Sequence, residues 1–300
     1  MKSHLILLST VFFFFIACKK NTDTPVNTLP KVDARLIFKF KFDSLQARLD
    51  GFGNPSVLPS NHQAQSPVFN SMSAHYIELA PGPLTPLGSG AVLYKADETL
   101  AGGSKAIDFS KSKLVNDGGE IYSVALNTLA AGTYQYLRVS LAYQNYNIRF
   151  KSGSYYGNGT LASFIGYNSY ISNYKIKDSS VVVNTNKLQG YWGFEYNVLG
   201  YGGTVKGQAP GAITVPNPIS STSPIPAGSC VVTGAFVNDS KNISPLVITG
   251  KETEDIVITV SVSTNKSFEW EEKSGDSYYE PQAGDVVVDM GVRGMIPIIK

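Results

Sequence analysis

The stretch Ala34-Arg-Leu-Ile-Phe-Lys-Phe-Lys-Phe-Asp43 decides the fold class of this 300-residue chain. Its apolar and polar residues alternate with a period of two, the period of a pleated strand. Leu36, Phe38, Phe40 and Phe42 fall on one face, which predicts a row turned to a core. Ile37, Lys39 and Lys41 fall on the other, where the two lysines are expected to reach water.

The same signature recurs along the chain. Strands are expected at 73–79, 90–94, 119–125, 133–143, 174–177, 180–184 and 190–197, and then at 229–237, 246–249, 255–263, 267–270 and 285–289. Turn formers separate them, with 28 Gly and 16 Pro supplying the breaks. No segment carries a 3.6-residue apolar stripe over three turns. Short helices are expected only near 44–50, capped by Asp43 or Ser44, and near 161–166. The prediction is an all-β chain built as a β-sandwich, either as two β-rich domains or as one sandwich with long loops. Its parts are an N-terminal β-rich domain at 34–202, a Gly/Pro/Ser-rich linker or long loop at 203–228, and a C-terminal β-rich segment at 229–300.

Charge is balanced, with 25 basic against 23 acidic residues, and no basic stripe appears. That composition argues against nucleic acid as a partner. Of the two cysteines, Cys230 lies in an extended-looking run, Gly228-Ser-Cys-Val-Val-Thr233, where burial is expected. Tyrosine and asparagine crowd the centre. Tyr143, Tyr146, Tyr155, Tyr156, Tyr167, Tyr170, Tyr174, Tyr191 and Trp192 form a candidate ligand surface, because rings beside amides stack on sugars or hold a peptide backbone. Ordinary sheet packing with wet hydroxyls is the simpler account of the same residues. Arg138 alternates with Leu137 and Val139, so a cross-strand carboxylate is its expected partner, while Arg149 is expected in solvent.

Metal and catalytic chemistry have thin support. The usable histidines are His62 and His75, which with one carboxylate would suffice for zinc or copper if they met in space. The acidic stretch 269–285 contains Glu269, Glu271, Glu272 and Asp276 around a Gly-centred turn. Calcium takes such oxygens, although the spacing does not match the helix–loop–helix calcium motif, and solvated hairpin residues explain the cluster equally well. No nucleophile elbow or acid/base set can be assembled, and the paired carboxylates of a glycosidase would come from separate strands.

The N-terminus gives an address. Lys2 precedes a short apolar run, Leu5 to Ala17, too short for an ordinary spanning helix, and residues 1–17 read as a signal peptide. The block Phe15-Ile16-Ala17-Cys18 resembles the lipobox of bacterial lipoproteins, with Phe15 in place of the usual Leu. The run is similar to the lipoprotein signals of the Bacteroidota, whose envelope lipoproteins often join a polar tether to an all-β domain. The resemblance implies cleavage before Cys18 and acylation there, with the bilayer as partner. Each buried methylene would contribute about 0.8 kcal/mol of anchoring. Residues 18–33 then read as a lipid-anchored flexible tether, and the expected location is the outer membrane of a Gram-negative cell, facing either the periplasm or the surface. Residues 35–143 also resemble the MbnP-like lipoproteins through Ile37-Phe-Lys-Phe-Lys-Phe42, Tyr76-Ile-Glu-Leu79, Leu129-Ala-Ala-Gly-Thr-Tyr134 and Arg138-Val-Ser-Leu-Ala142. That family is β-rich, periplasmic and associated with copper handling, but no residue here matches a copper-ligand motif.

The expected role is non-catalytic binding of a glycan, peptide or partner protein at the envelope, with no cofactor unless calcium occupies the acidic loop. The alternative is a structural or assembly lipoprotein of a surface fibre or outer-membrane complex, and a glycoside hydrolase or metal-binding protein ranks below both. Cys18→Ala should move the protein from the detergent phase to the aqueous phase in phase partitioning. Mass spectrometry of the wild-type N-terminal peptide should show the fatty chains, and an unmodified cysteine there would remove the anchor.

Overall fold

The alternating stretch forms the first described strand, which pairs with a strand more than two hundred residues later in the chain. A computed structural model describes residues 33–209 and 230–300. The leader, Cys18, the tether up to residue 32 and residues 210–228 of the Gly/Pro/Ser-rich stretch lie outside the described residues. In chain order the strands are β1 (Arg35–Asp43), β2 (His62–Gln65), β3 (Val68–Ala80), β4 (Ala91–Lys95), β5 (Glu98–Thr99), β6 (Ala106–Asp108), β7 (Glu120–Ala125), β8 (Gly132–Tyr134), β9 (Tyr136–Ser152) and β10 (Tyr155–Phe164). They continue as β11 (Asn168–Lys175), β12 (Ser180–Leu188), β13 (Tyr191–Val198), β14 (Tyr201–Gln208), β15 (Cys230–Ala235), β16 (Leu246–Ile248), β17 (Ile256–Ser263), β18 (Phe268–Glu271), β19 (Val286–Asp289) and β20 (Met295–Ile299). Among the described residues the only helical pieces are three single 3₁₀ turns. Among the described residues no helix is long and apolar enough to cross a membrane.

The architecture is all-β with several sheets. One has the order β20-β17-β1-β7 and another the order β14-β13-β10-β9-β3-β4, with β15 also paired to β9. Smaller sheets run β12-β11-β6-β5, β19-β18-β2 and β16-β8. Leu36, Phe38 and Phe40 of β1 are fully buried. They belong to one core cluster with Ile258, Val260 and Val262 of β17, Met72, Ile77 and Leu79 of β3, and Leu137, Val139 and Leu141 of β9. Two sheets therefore turn their apolar rows onto the same core, as the period-two pattern requires.

Strand β1 pairs in parallel with β17, from Leu36 opposite Ile256 to Asp43 opposite Ser263. Strand β15 pairs with β9, and β18 with β2. Residues 34–202 and 229–300 thus share sheets, and all described residues fall in one compact unit. Residues 201–208 are strand β14, so the Gly-rich stretch begins as sheet. Neither expected short helix forms. Ser44–Asp50 is a bend with an isolated Leu49–Pro55 bridge, and Leu45 is 92% exposed, leaving a helix there no face to bury. Residues 161–164 end β10 because both neighbours bind them: Leu161 lies opposite Tyr146 on one side and Phe194 on the other. Cross-strand pairing outweighs a helical preference worth a few tenths of a kcal/mol per residue, roughly.

Arg138 finds the cross-strand carboxylate its alternation predicts. It lies opposite Glu78, and the two fully buried side chains approach to 3.8 Å. Glu78 also accepts from the backbone N–H groups of Gly88 and Gly90, at 3.1 and 2.7 Å. Arg138 donates to the Pro83 carbonyl at 2.9 Å. Such a pair is costly to break from one side. Truncating the centre of the β1 row, Phe38→Ala, should lower the free energy of urea unfolding by about 3–5 kcal/mol, whereas Val57→Ala, 84% exposed, should leave it unchanged.

Candidate ligand-binding groove

Strands β9, β10, β13 and β14 project beyond the main core as a sheet with two unlike faces. Their register follows from two tight hairpins. Ser152 lies opposite Tyr155 across Gly153-Ser154, and Val198 opposite Tyr201 across Leu199-Gly200. Leu199 and Gly200 have φ of 52° and 86°, the paired left-handed conformation of a type I′ turn. Once the turns are set, every side chain along the four strands has an assigned face.

One face is polar. Asn147 and Arg149 of β9, Asn158 and Thr160 of β10, Glu195 and Asn197 of β13, and Gly202 and Thr204 of β14 line a groove of about 740 Å³. Its floor is a ladder of amides. Asn147 accepts from Thr160 at 2.8 Å and from Asn70 at 3.2 Å, and donates back to Asn70 at 3.1 Å. Asn70 also donates to Asn145 at 2.8 Å. One wall is the turn Lys177–Ser179, whose three backbone N–H groups donate to Glu195 at 2.9–3.0 Å. Burial pushes the Glu195 carboxyl up, but those N–H groups outweigh it and hold the group below the usual carboxylate range. Glu195 is thereby an ionised structural acceptor. Among the described residues the side chains of Arg149 and Asn158 make no hydrogen bond or ion pair, so their donors face the groove. Gln65 fixes the Arg149 backbone from both sides, donating to its carbonyl at 2.8 Å and accepting from its N–H at 2.9 Å.

The opposite face is aromatic. Phe194 and Tyr196 stack with ring centres 6.1 Å apart, and Phe150 meets Phe194 edge-on at 5.5 Å. Two glycines make room for the rings. A Cβ on Gly159 would strike the Phe194 ring, and one on Gly203 would lie 2.8 Å from the Tyr196 hydroxyl. Towards the hairpin tips this face opens into a hollow of about 620 Å³ lined by Phe150, Tyr155, Tyr196, Tyr201 and Gln282 among others.

The nine aromatics expected at a ligand surface do not share one. Tyr143, Tyr146, Tyr167, Tyr174 and Tyr191 are buried. Tyr143, Tyr174 and Tyr191 pack around Phe164, whose ring centre lies 5.0–5.8 Å from theirs. Tyr146 sits under Phe69 and donates to the Met290 carbonyl. Tyr170 and Trp192 are half-buried. Tyr155 and Tyr156 are exposed, at 56% and 63%, and Tyr155 reaches the aromatic hollow. Sequence reasoning missed Asn158, Thr160 and Thr204 because β10 and β14 were not expected as strands, Asn147 because β9 was expected to end at 143, and Glu195 and Asn197 because the strand expected at 190–197 was read for its aromatics. The alternation of Tyr156, Asn158 and Thr160 with Gly157, Gly159 and Leu161 is the signal that would have found Asn158 and Thr160.

The acidic stretch is engaged by protein donors. Asp285 accepts from the N–H groups of Lys273, Ser274 and Glu280 at 2.7–3.1 Å. Glu272 accepts from Gly275 N–H at 2.8 Å and from Trp270 Nε1 at 3.2 Å. Asp276 accepts from Tyr278 N–H at 3.0 Å and pairs with Lys151. Glu271 pairs with Lys273 at 3.2 Å. Glu269 takes His62 at 2.6 Å and both Arg48 and Arg293 at 2.8 Å. His75 lies elsewhere, fully buried on β3, with Nε2 3.2 Å from Glu98. Among the described residues no three His, Cys, Asp or Glu side chains are grouped to hold a metal ion.

Comparison with protein-family models, curated proteins and solved structures finds no match for this chain.

Two of these groups set the acid limit of the fold. Burial pushes His75 down to about 4 from its ordinary 6.5, against the pull of Glu98. Between those values the unfolded chain binds a proton that the folded chain refuses, so stability falls as pH drops from 6.5 to 4 and His75 adds nothing further below. Burial raises Glu269, but His62, Arg48 and Arg293 overcome it and hold it low, so its contribution is present above the ordinary carboxylate range and is lost as pH falls through its folded value. Urea unfolding midpoints should therefore be level above about pH 6.5 and decline below, with His75 accounting for about 3 kcal/mol. His75→Gln should flatten the upper part of that decline, between about pH 6.5 and pH 5, and leave the carboxylate part intact.

Proposed function

We propose that this chain is a non-catalytic binding module of the cell envelope that holds an extended polar ligand, a glycan or a peptide, along the amide-lined groove. The sheets sharing the main core are read as the two layers of a β-sandwich, and the β9–β10–β13–β14 extension as the part that carries the site. Anchoring through acylated Cys18 to the outer membrane of a Gram-negative cell belongs to the same reading. It is supported by the lipobox-like Phe15-Ile16-Ala17-Cys18 and the polar stretch after it.

The observation that carries the reading is a floor of interlocked amides on paired strands, with unengaged Arg149 and Asn158 donors above it. Amides fixed by their neighbours present donors and acceptors without having to be ordered on binding, which favours affinity for a hydroxyl-rich or amide-rich chain. Glu195, a carboxylate that lines the groove, is held by three N–H groups, which suits wall-building rather than proton transfer. A second reading, an assembly component, is favoured by the outer edge of β14, which no strand pairs among the described residues.

The test is binding of an immobilised panel of neutral and acidic oligosaccharides and of extended peptides to the purified protein. At least one class should bind, and Arg149→Ala and Asn158→Ala should each weaken it about tenfold, the equivalent of one or two hydrogen bonds. Their unfolding midpoints should match the wild type, since neither side chain makes a hydrogen bond or ion pair among the described residues. Binding unaffected by both substitutions would place the ligand elsewhere.

A further inference from the structure

The edge strand of the long sheet can be read at the level of single backbone groups. In a two-residue hairpin the flanking pair, here Val198 and Tyr201, exchanges both hydrogen bonds. Tyr201, Gly203, Val205 and Gly207 therefore turn their N–H and C=O groups towards β13, and Gly202, Thr204, Lys206 and Gln208 turn theirs outward. Among the described residues nothing pairs with that outer edge. Pairing with β13 runs over eight residues without a register shift.

The other sheet edges among the described residues are short, covered or interrupted. Strand β4 has five residues and a register shift opposite Ile77 and Glu78. Strand β12 is bent at Asn184, φ 52°, and its pairing slips between Ile171 and Asn173. Strand β7 carries a shift opposite Phe38 and Lys39, and β20 contains Pro297. The outer side of β15 is reached by Gly51, whose carbonyl accepts from Thr233 N–H at 2.9 Å. Those are the devices that prevent strand addition. Strand β14 has none except one charge, Lys206, which makes no ion pair or hydrogen bond among the described residues.

We propose that the outer edge of β14 is a strand-addition site, where an extended segment of a partner protein pairs with Gly202, Thr204, Lys206 and Gln208. The proposal rests on the groove reading and names its ligand class as polypeptide, because Gly202 and Thr204 belong to both the groove and the edge. Donors and acceptors recurring every second residue, about 7 Å apart, match an extended peptide backbone and no sugar repeat. The added strand has one side over the polar face and one over the aromatic face. Its residues on the Thr204 side are polar, with a carboxylate opposite Lys206. Those on the other side are apolar, beside Tyr201 and Val205, which are 83% and 45% exposed. A second copy fits less well. Gly202, Gly203 and Gly207 leave β14 with few side chains, so two β14 strands together would form few cross-strand contacts.

The test starts from a random dodecapeptide library on phage, selected on the full-length protein in detergent, and the enriched peptide made synthetically. Binding should slow amide exchange at Gly202, Thr204 and Lys206. Thr204→Pro, which removes an outward N–H and no bond to β13, should weaken binding about tenfold or more. Should that variant fail to fold, the peptide supplies the check: N-methylation of alternate residues should abolish binding in one phase and spare it in the other. Peptide binding indifferent to both manipulations would overturn the proposal. Oligosaccharide binding that is lost in Arg149→Ala but unchanged in Thr204→Pro, without protection of β14, would overturn it and leave the groove standing. A dimer dissociated by Thr204→Pro would give the edge to a second copy, and failure of both ligand classes would remove the groove as well.

Discussion

Pairing along β9 is the constraint on which the rest of the structure depends. At seventeen residues it spans about 56 Å, far more than one core can bury. Its first part puts Leu137, Val139 and Leu141 into the main core. Its middle gives Tyr143 to a second cluster, and Tyr146 and Ile148 go to a third. Three strands, β3, β10 and β15, take their register from it. A slip of one residue would invert every one of those assignments at once. Strand β9 therefore couples the main core to the two-faced extension, and the groove inherits its geometry from packing at the other end of the same strand.

The contrast between the two faces of that extension has a simple origin. On the aromatic face, glycines at 159 and 203 let rings from β13 lie across the neighbouring strands, and Phe194 packs against the cluster that holds Phe268 and Trp270 of β18. On the polar face, Asn and Thr side chains bond to one another across strands, and Asn145 also donates to the Ile176 carbonyl at 2.9 Å. Polar groups satisfied in this way tolerate partial burial at little cost. The face can thus stay uncovered and ordered together, which a recognition surface requires.

Much of the scaffold was legible in the sequence. The Leu36–Phe42 alternation gave the core row, and Arg138 flanked by Leu137 and Val139 gave a cross-strand carboxylate partner, which the structure identifies as the buried Glu78. The groove was hidden for a specific reason. Strands β10 and β14 are rich in glycine, and glycine reads as a break unless the ring that occupies its place is known. The tyrosines misled for the opposite reason. Their composition suggested a surface, but Tyr143, Tyr174 and Tyr191 satisfy one another around Phe164, a set of contacts between three strands that no local pattern encodes. The same holds for the acidic stretch, whose donors are turn N–H groups and side chains distant in sequence, such as Arg48, His62 and Lys151.

That acidic stretch also connects to the site. Lys151, near the end of β9, pairs with Asp276 and with Glu280. Its own N–H donates to the Tyr279 carbonyl at 2.8 Å, and Gly153 N–H in the hairpin turn donates to Glu280 at 2.8 Å. Ser152 adds a bond to Gln282 at 3.0 Å. The Lys151 ammonium, through its hydrogen bond, holds Asp276 below the usual carboxylate range, so the clamp is ionised at neutral pH. An exposed pair of this kind contributes little to global stability. Its effect is local: it fastens the β9–β10 hairpin to the loop that supplies Gln282 to the aromatic hollow. Asp276, one of the carboxylates of the acidic stretch, thus joins Glu280 in holding the tip of the β9–β10 hairpin against the loop that follows β18.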